Sequence, residues 1–130
     1  MNREILFRGK RIDNGEWVEG YVVVYPSGKM EVHKKCTQPP DILLVCETDP
    51  ETVCQYTGLT DKNGRKIFEG DICEFSAYGE SYKGDVRFIK GNFTIWCGKC
   101  APFLDDALEK RSAIVIGNIF GNPELIGEQS

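Results

Sequence analysis

The sequence has a single histidine, His33, and two methionines among 130 residues. One imidazole alone makes no Ser-His-Asp or Cys-His assembly arguable, because nothing in the pattern ties it to a nucleophile and an orienting carboxylate. Long apolar runs are also missing. The runs that exist, such as Ala113–Ile116, are far below the ~20 residues needed to span a bilayer. The opening stretch Met1–Arg8 interrupts its apolar residues with charge, unlike the apolar core of a signal peptide. The expectation is therefore a cytoplasmic protein. No basic stripe is present either. Sixteen Lys and Arg face twenty Asp and Glu, for a net charge of −4 and a pI near 5.1. The densest basic groups are Arg8, Lys10 and Arg11, and Lys34 with Lys35. Phosphate neutralisation supplies most of the affinity for nucleic acid, so this balance argues against a dedicated nucleic-acid role.

The hydrophobic share of 41% and aromatic share of 11% belong to a globular chain that buries a core. A chain of this length buries roughly two-thirds of its unfolded surface, so it needs no covalent staple. Six cysteines stand at 36, 46, 54, 73, 97 and 100. In a reducing cytoplasm they read as free thiols. Cys46, Cys54 and Cys73 lie in apolar stretches and are expected in or near the core, where cysteine acts as a small hydrophobe.

Strand signals dominate. Ile5–Arg11 reads as a first strand, followed by the tight-turn triplet Asp13-Asn14-Gly15. Glu16–Tyr25 is rich in β-branched and aromatic residues. After Pro26-Ser27-Gly28, Lys29–His33 alternates polar and apolar, as a half-buried strand does. The first third is thus a three-stranded meander. Ile42–Val45 reads as a further buried strand, and the seam between two halves falls near Thr48–Thr52. Leu59–Ile67 reads as a hairpin turning at Asn63-Gly64, and Ile72–Phe75 alternates. Tyr82–Ile89 and Phe93–Trp96 pair across Lys90-Gly91-Asn92, and Phe103–Lys110 is the one helical stretch. Ala113–Phe120 closes the set. The expected fold is mainly β: an SH3-like barrel over 49–130, an appended β-meander over 1–48 and one short helix, packed as one compact unit.

The stretch Trp96-Cys97-Gly98-Lys99-Cys100 carries the strongest chemical signal. It is close to the thioredoxin sequence WCGPC. A thioredoxin site needs its first cysteine at a helix N-terminus, where the dipole stabilises the thiolate. Pro102 delays the helix here, and only 30 residues follow Cys100, too few for the rest of that sheet. Zinc is the better reading. Cys97 and Cys100 have the spacing of a metal knuckle, and His33 with Cys36 makes a second pair of the same spacing. Together these four form a chemically reasonable Cys3His set, although about sixty positions separate the pairs. The acidic groups Glu47, Asp49 and Glu51, and Glu69, Asp71 and Glu74, could hold a divalent cation. Without a glycine-rich phosphate loop they read as solvated turn carboxylates.

Three segments together resemble a known family. They are Phe7–Arg11 with Gly15–Tyr21, then Pro50–Gly64 with Ile67–Ile72, and finally Ile116–Leu125. In order, and over nearly the whole chain, they are similar to the YopX family of small phage and prophage proteins. The resemblance implies an SH3-like barrel with an N-terminal β region, a phage or prophage origin and action in the bacterial cytoplasm. It implies no catalytic residue and no reaction. What it leaves is a non-catalytic binding or assembly module with host or phage protein partners and self-association. The alternative is a nucleic-acid-binding barrel, with Trp17, Tyr25 or Tyr82 stacking on bases. The Cys97/Cys100 pair lies outside the family pattern. Within that pattern, Gly58, Gly64 and Gly70 are expected at positive φ, Asp61 and Asp71 on turn amides, and Tyr56 and Phe68 packed inside.

Overall fold

The computed structural model describes residues 5–35, 42–98 and 100–126. The chain divides into two compact units, Met1–Tyr56 and Thr57–Ser130; the seam expected at 48/49 lies upstream of that division. Ten strands and one α-helix are present among the described residues. The mainly β class holds, with the ladders forming two antiparallel sheets that do not close among the described residues.

In the first unit, β1 (Phe7–Lys10), β2 (Trp17–Val24), β3 (Met30–Lys35) and β4 (Leu43–Thr48) are antiparallel neighbours in the order β4-β3-β2-β1. The first residues of β5 (Cys54–Thr60) pair with β1 through Phe7↔Gln55 and Arg8↔Cys54. The meander read from the sequence is thus extended by β4. Alternation explains the faces: successive side chains of a strand point to opposite sides. Val18, Val32 and Cys46 are buried together, with Leu44 against them. Glu19 and Tyr21 of β2 and Val45 of β4, at the alternate positions, are exposed. A single bridge, Arg11↔Thr48, with Ile12 N–H donating to the Glu47 carbonyl at 3.0 Å, ties the end of β1 to β4. It is a tether and not a ladder.

In the second unit, β7 (Asp71–Ala77), β8 (Glu80–Ile89), β9 (Asn92–Trp96) and β10 (Ile114–Asn118) make a four-stranded sheet in the order β10-β7-β8-β9. The β7–β8 and β8–β9 turns place Tyr78-Gly79 and Lys90-Gly91 at positive φ. Two positive φ values in a two-residue loop give the turn whose twist matches antiparallel strands. One face of the sheet is covered by helix α1 (Leu104–Lys110), whose Leu104 and Ala107 are buried with Phe75, Val86, Ile95 and Val115. The remainder of β5 leads into β6 (Lys66–Phe68), with the Thr57 hydroxyl donating to the Ile67 carbonyl at 2.7 Å.

The turn between β5 and β6 is built around Asp61, which is 5% exposed. Its Oδ1 accepts from the amides of Asn63 and Arg65, each at 3.0 Å. Its Oδ2 accepts from the Val115 amide at 3.0 Å, while the Arg65 guanidinium donates to the Val115 carbonyl at 3.1 Å. One turn thus grips both backbone groups of a residue in β10. The expectations for the central motif hold. Gly58, Gly64 and Gly70 have φ of 87°, 80° and 89°. Asp71 accepts from the Phe68 amide at 2.8 Å, and Tyr56 and Phe68 are buried.

Candidate functional site

The thiol turn follows directly from the end of β9. Trp96 closes the strand, and the Cys97 amide donates to the Cys100 carbonyl at 3.1 Å. Gly98, at φ 83°, supplies the left-handed step that lets the chain reverse. The reversal brings the two sulfurs to 2.9 Å, and the Cys100 amide donates to Cys97 Sγ at 3.2 Å. Cys97 is buried in the core of the second unit, whereas Cys100 is half-buried beside it. Cys100 also lines a groove of about 230 Å3 with Phe75, Tyr78, Pro102 and Arg111. Burial, then the hydrogen bond with Cys97, push the Cys100 thiol up to about 11, with Arg111 opposing. A thioredoxin-type nucleophile is shifted the other way.

His33 sits on β3 in the first unit, its Nε2 3.0 Å from Glu31 Oε1. The same oxygen accepts from the Tyr25 hydroxyl at 2.8 Å. These bonds, His33 first, hold the Glu31 carboxyl below its usual range against the cost of burial. Of the four residues of the zinc set, Cys36 lies outside the described residues. Cys97 and Cys100 are brought together. Among the described residues no group of three or more His, Cys, Asp or Glu side chains gathers to hold a metal ion.

The acidic groups are only partly the solvated carboxylates expected from the sequence. Asp71 is 2% exposed and serves the Phe68 amide, so it is a structural clamp. Asp49 has a structural duty as well, capping the 3₁₀ turn Pro50–Thr52 through the Glu51 amide. In both cases the carboxylate accepts from a backbone amide of its own turn. Cys46, Cys54 and Cys73 are buried as expected, and burial pushes Cys73 up to about 12.

The open face of the first sheet was not singled out from the sequence. Tyr21, His33 and Val45 stand directly opposite one another across β2, β3 and β4. Tyr21 is 66% exposed and Val45 50%; Leu43, two residues along the same face, is exposed too. On that face the Trp17 ring lies under the Arg8 guanidinium at 4.6 Å and the Lys10 ammonium at 5.5 Å. The signal was available: Glu19 must face water, and a period of two then puts Tyr21 outward as well. Of the aromatics proposed for stacking, Tyr82 is packed on Phe75 with centroids 5.8 Å apart, and Tyr25 is turned to Glu31.

These features define a mainly antiparallel β protein of two units, with a half-buried thiol turn in one and an open aromatic sheet face in the other. No helix among the described residues is long and apolar enough to cross a membrane. The family pattern described as YopX protein matches residues 6–127, and the chain belongs to the YopX family. The crystal structure of protein EF1440 from Enterococcus faecalis is similar, with 25% sequence identity and a TM-score of 0.59. That likeness covers 96% of this chain and 99% of the other. A search of the curated proteins returns no match.

Proposed function

We propose that this YopX-family chain is a non-catalytic binding or assembly module, encoded by phage or prophage and acting in the bacterial cytoplasm. Its contact surface is the open face of the first sheet. The observation that carries this reading is the cross-strand row Tyr21, His33 and Val45, flanked by Leu43, on a face opposite the buried Val18, Val32 and Cys46. Isolated exposed apolar residues are ordinary, but a contiguous row on one sheet face is the kind of patch that partners cover. Tyrosine adds apolar area with little entropy to lose, which suits it to an interface. The second unit is read as a variant of the SH3-like barrel. The β7-β8-β9 meander, a helical turn and a last strand returning beside β7 support that reading.

The test is a Tyr21→Glu, Val45→Glu double variant compared with the natural chain. Native mass spectrometry reports self-association, and capture from infected host extract reports other protein partners. The natural chain is expected to form a complex that the double variant loses, with an unchanged far-ultraviolet dichroism spectrum. Identical behaviour of the two chains rejects this face as the contact surface. A reproducible enzymatic turnover, abolished by a point substitution, rejects the non-catalytic reading.

A second reading, nucleic-acid binding, draws on one observation. Trp17 lies beneath Arg8 and Lys10 on the same face as Tyr21, joining a stackable ring to two cations. The net charge of −4 weighs against it. Fluorescence anisotropy with single-stranded DNA and RNA at low ionic strength decides the matter. Binding that weakens steeply with salt and is lost on Trp17→Ala supports it, and flat titrations dismiss it.

A further inference from the structure

We propose that Cys97 and Cys100 form a reversible intramolecular disulfide with low-molecular-weight disulfides as the oxidant, so that the turn between β9 and α1 is a thiol-modification site. Three features of the turn carry this. The two sulfurs are already 2.9 Å apart, in a reversal held by the Cys97 amide on the Cys100 carbonyl and the Cys100 amide on Cys97 Sγ. Their exposures differ: Cys97 is 5% exposed among core residues, while Cys100 opens on the groove beside Phe75, Tyr78 and Arg111. Finally, Arg111 lies where its charge favours the Cys100 thiolate, and the same cation would attract a carboxylate-bearing oxidant.

Geometry assigns the roles. The Cys100 thiol loses its proton to solvent, and its thiolate attacks one sulfur of the oxidant. A bond forms between Cys100 and that sulfur, the oxidant's own S–S bond breaks, and one small thiolate leaves with the electron pair. Cys97 Sγ then loses its proton to solvent and attacks Cys100 Sγ. The Cys97–Cys100 bond forms, the mixed disulfide breaks, and a second small thiolate leaves. Two protein thiols are oxidised and one small disulfide is reduced to two thiols; the reverse sequence restores the dithiol. Cys97 from the end of β9, Tyr82 from β8 and Arg111 beyond α1 are the titratable groups acting on Cys100. With its thiol pushed up, Cys100 holds little thiolate near neutrality. The first step is therefore slow, and it accelerates about tenfold per unit of rising pH.

The experiment equilibrates the full chain with mixtures of reduced and oxidised glutathione, traps remaining thiols by alkylation and maps the peptides by mass. The expected product has lost two hydrogens, both within the peptide carrying Cys97 and Cys100, and it is restored by excess reduced glutathione. Cys97→Ser is expected to accumulate a glutathione adduct on Cys100. Cys100→Ser is expected to leave Cys97 unmodified. A bridge from either cysteine to Cys36, Cys46, Cys54 or Cys73 overturns the proposal. So does full alkylation of both thiols after equilibration with oxidised glutathione alone, a result that stands whether or not the serine variants fold.

Discussion

Replacing Asp61 by alanine tests the physical core of the second unit. The carboxylate accepts three backbone N–H bonds, from Asn63, Arg65 and Val115. Hydrogen bonds to a charged group are worth ~1.5–3 kcal/mol each. The three do not contribute equally once the carboxylate is gone. Asn63 and Arg65 are exposed turn residues, and water can take over their amides. The Val115 bond is buried, and its donor would be left without a partner at the full desolvation cost. The sum is about 2–4 kcal/mol. With a urea slope of roughly 2 kcal/mol per molar, the midpoint should fall by about 1–2 M. Trp96 lies in this unit and Trp17 in the other, so fluorescence in a Trp17→Phe background reports the relevant transition. Asp61→Asn keeps an acceptor for one side of the clamp and should cost about half as much. The pH dependence has a definite sign. Burial raises the Asp61 carboxyl, but the bonds from Val115, Arg65 and Asn63 outweigh it and leave the folded value below 3.8. A depressed carboxyl contributes stability above its unfolded value of about 3.9, and that contribution is lost as pH falls through the folded value. The gap between natural chain and Asp61→Ala should be constant near neutrality and shrink in acid. A cost under about 1 kcal/mol, or a gap that persists in acid, would refute the clamp.

Two further substitutions probe the second sheet. Gly84→Ala puts a Cβ against the Trp96 carbonyl, 2.7 Å from its carbon and 2.9 Å from Ile95 Cγ2. Because backbone cannot yield cheaply, a loss of about 2 kcal/mol or more is expected in the same urea assay. Lys90→Asn should act in the opposite direction. Lys90 holds φ 51° in the β8–β9 turn, a conformation asparagine tolerates better, so a gain of up to about 1 kcal/mol is expected.

Local signals were legible, and long-range ones were not. Asn63-Gly64 and Lys90-Gly91 announced their turns through Gly64 and Gly91, both of which stand at positive φ. The helix read as Phe103–Lys110 forms over Leu104–Lys110, since the four-residue spacing of Leu104 and Leu108 is a local period. β5 was read too short: Cys54–Thr60 is one strand, but its start reads like the tail of a loop after Pro50. The partnership of Asp61 with Val115 had no signature, because it joins positions 54 apart. Closure into a barrel was inferred from strand count, whereas closure depends on which edges find ladders. The Cys97–Cys100 contact was legible from spacing. Its unequal burial depended on α1 folding back over the sheet.

The grip on Val115 also sets an order of events during synthesis. Among the described residues, the ladders of the first unit are available once residue 56 has emerged, because their partners lie within β1 to β5. The second unit has no such independence. Asp61 leaves the ribosome early and must wait with its carboxylate hydrated until β10 arrives. That costs time, since contacts between distant positions form slowly. Meanwhile β7 has an unpaired edge where β10 will lie. The newborn protein thus passes through an interval in which its first half can be complete while its second half still awaits its final strand.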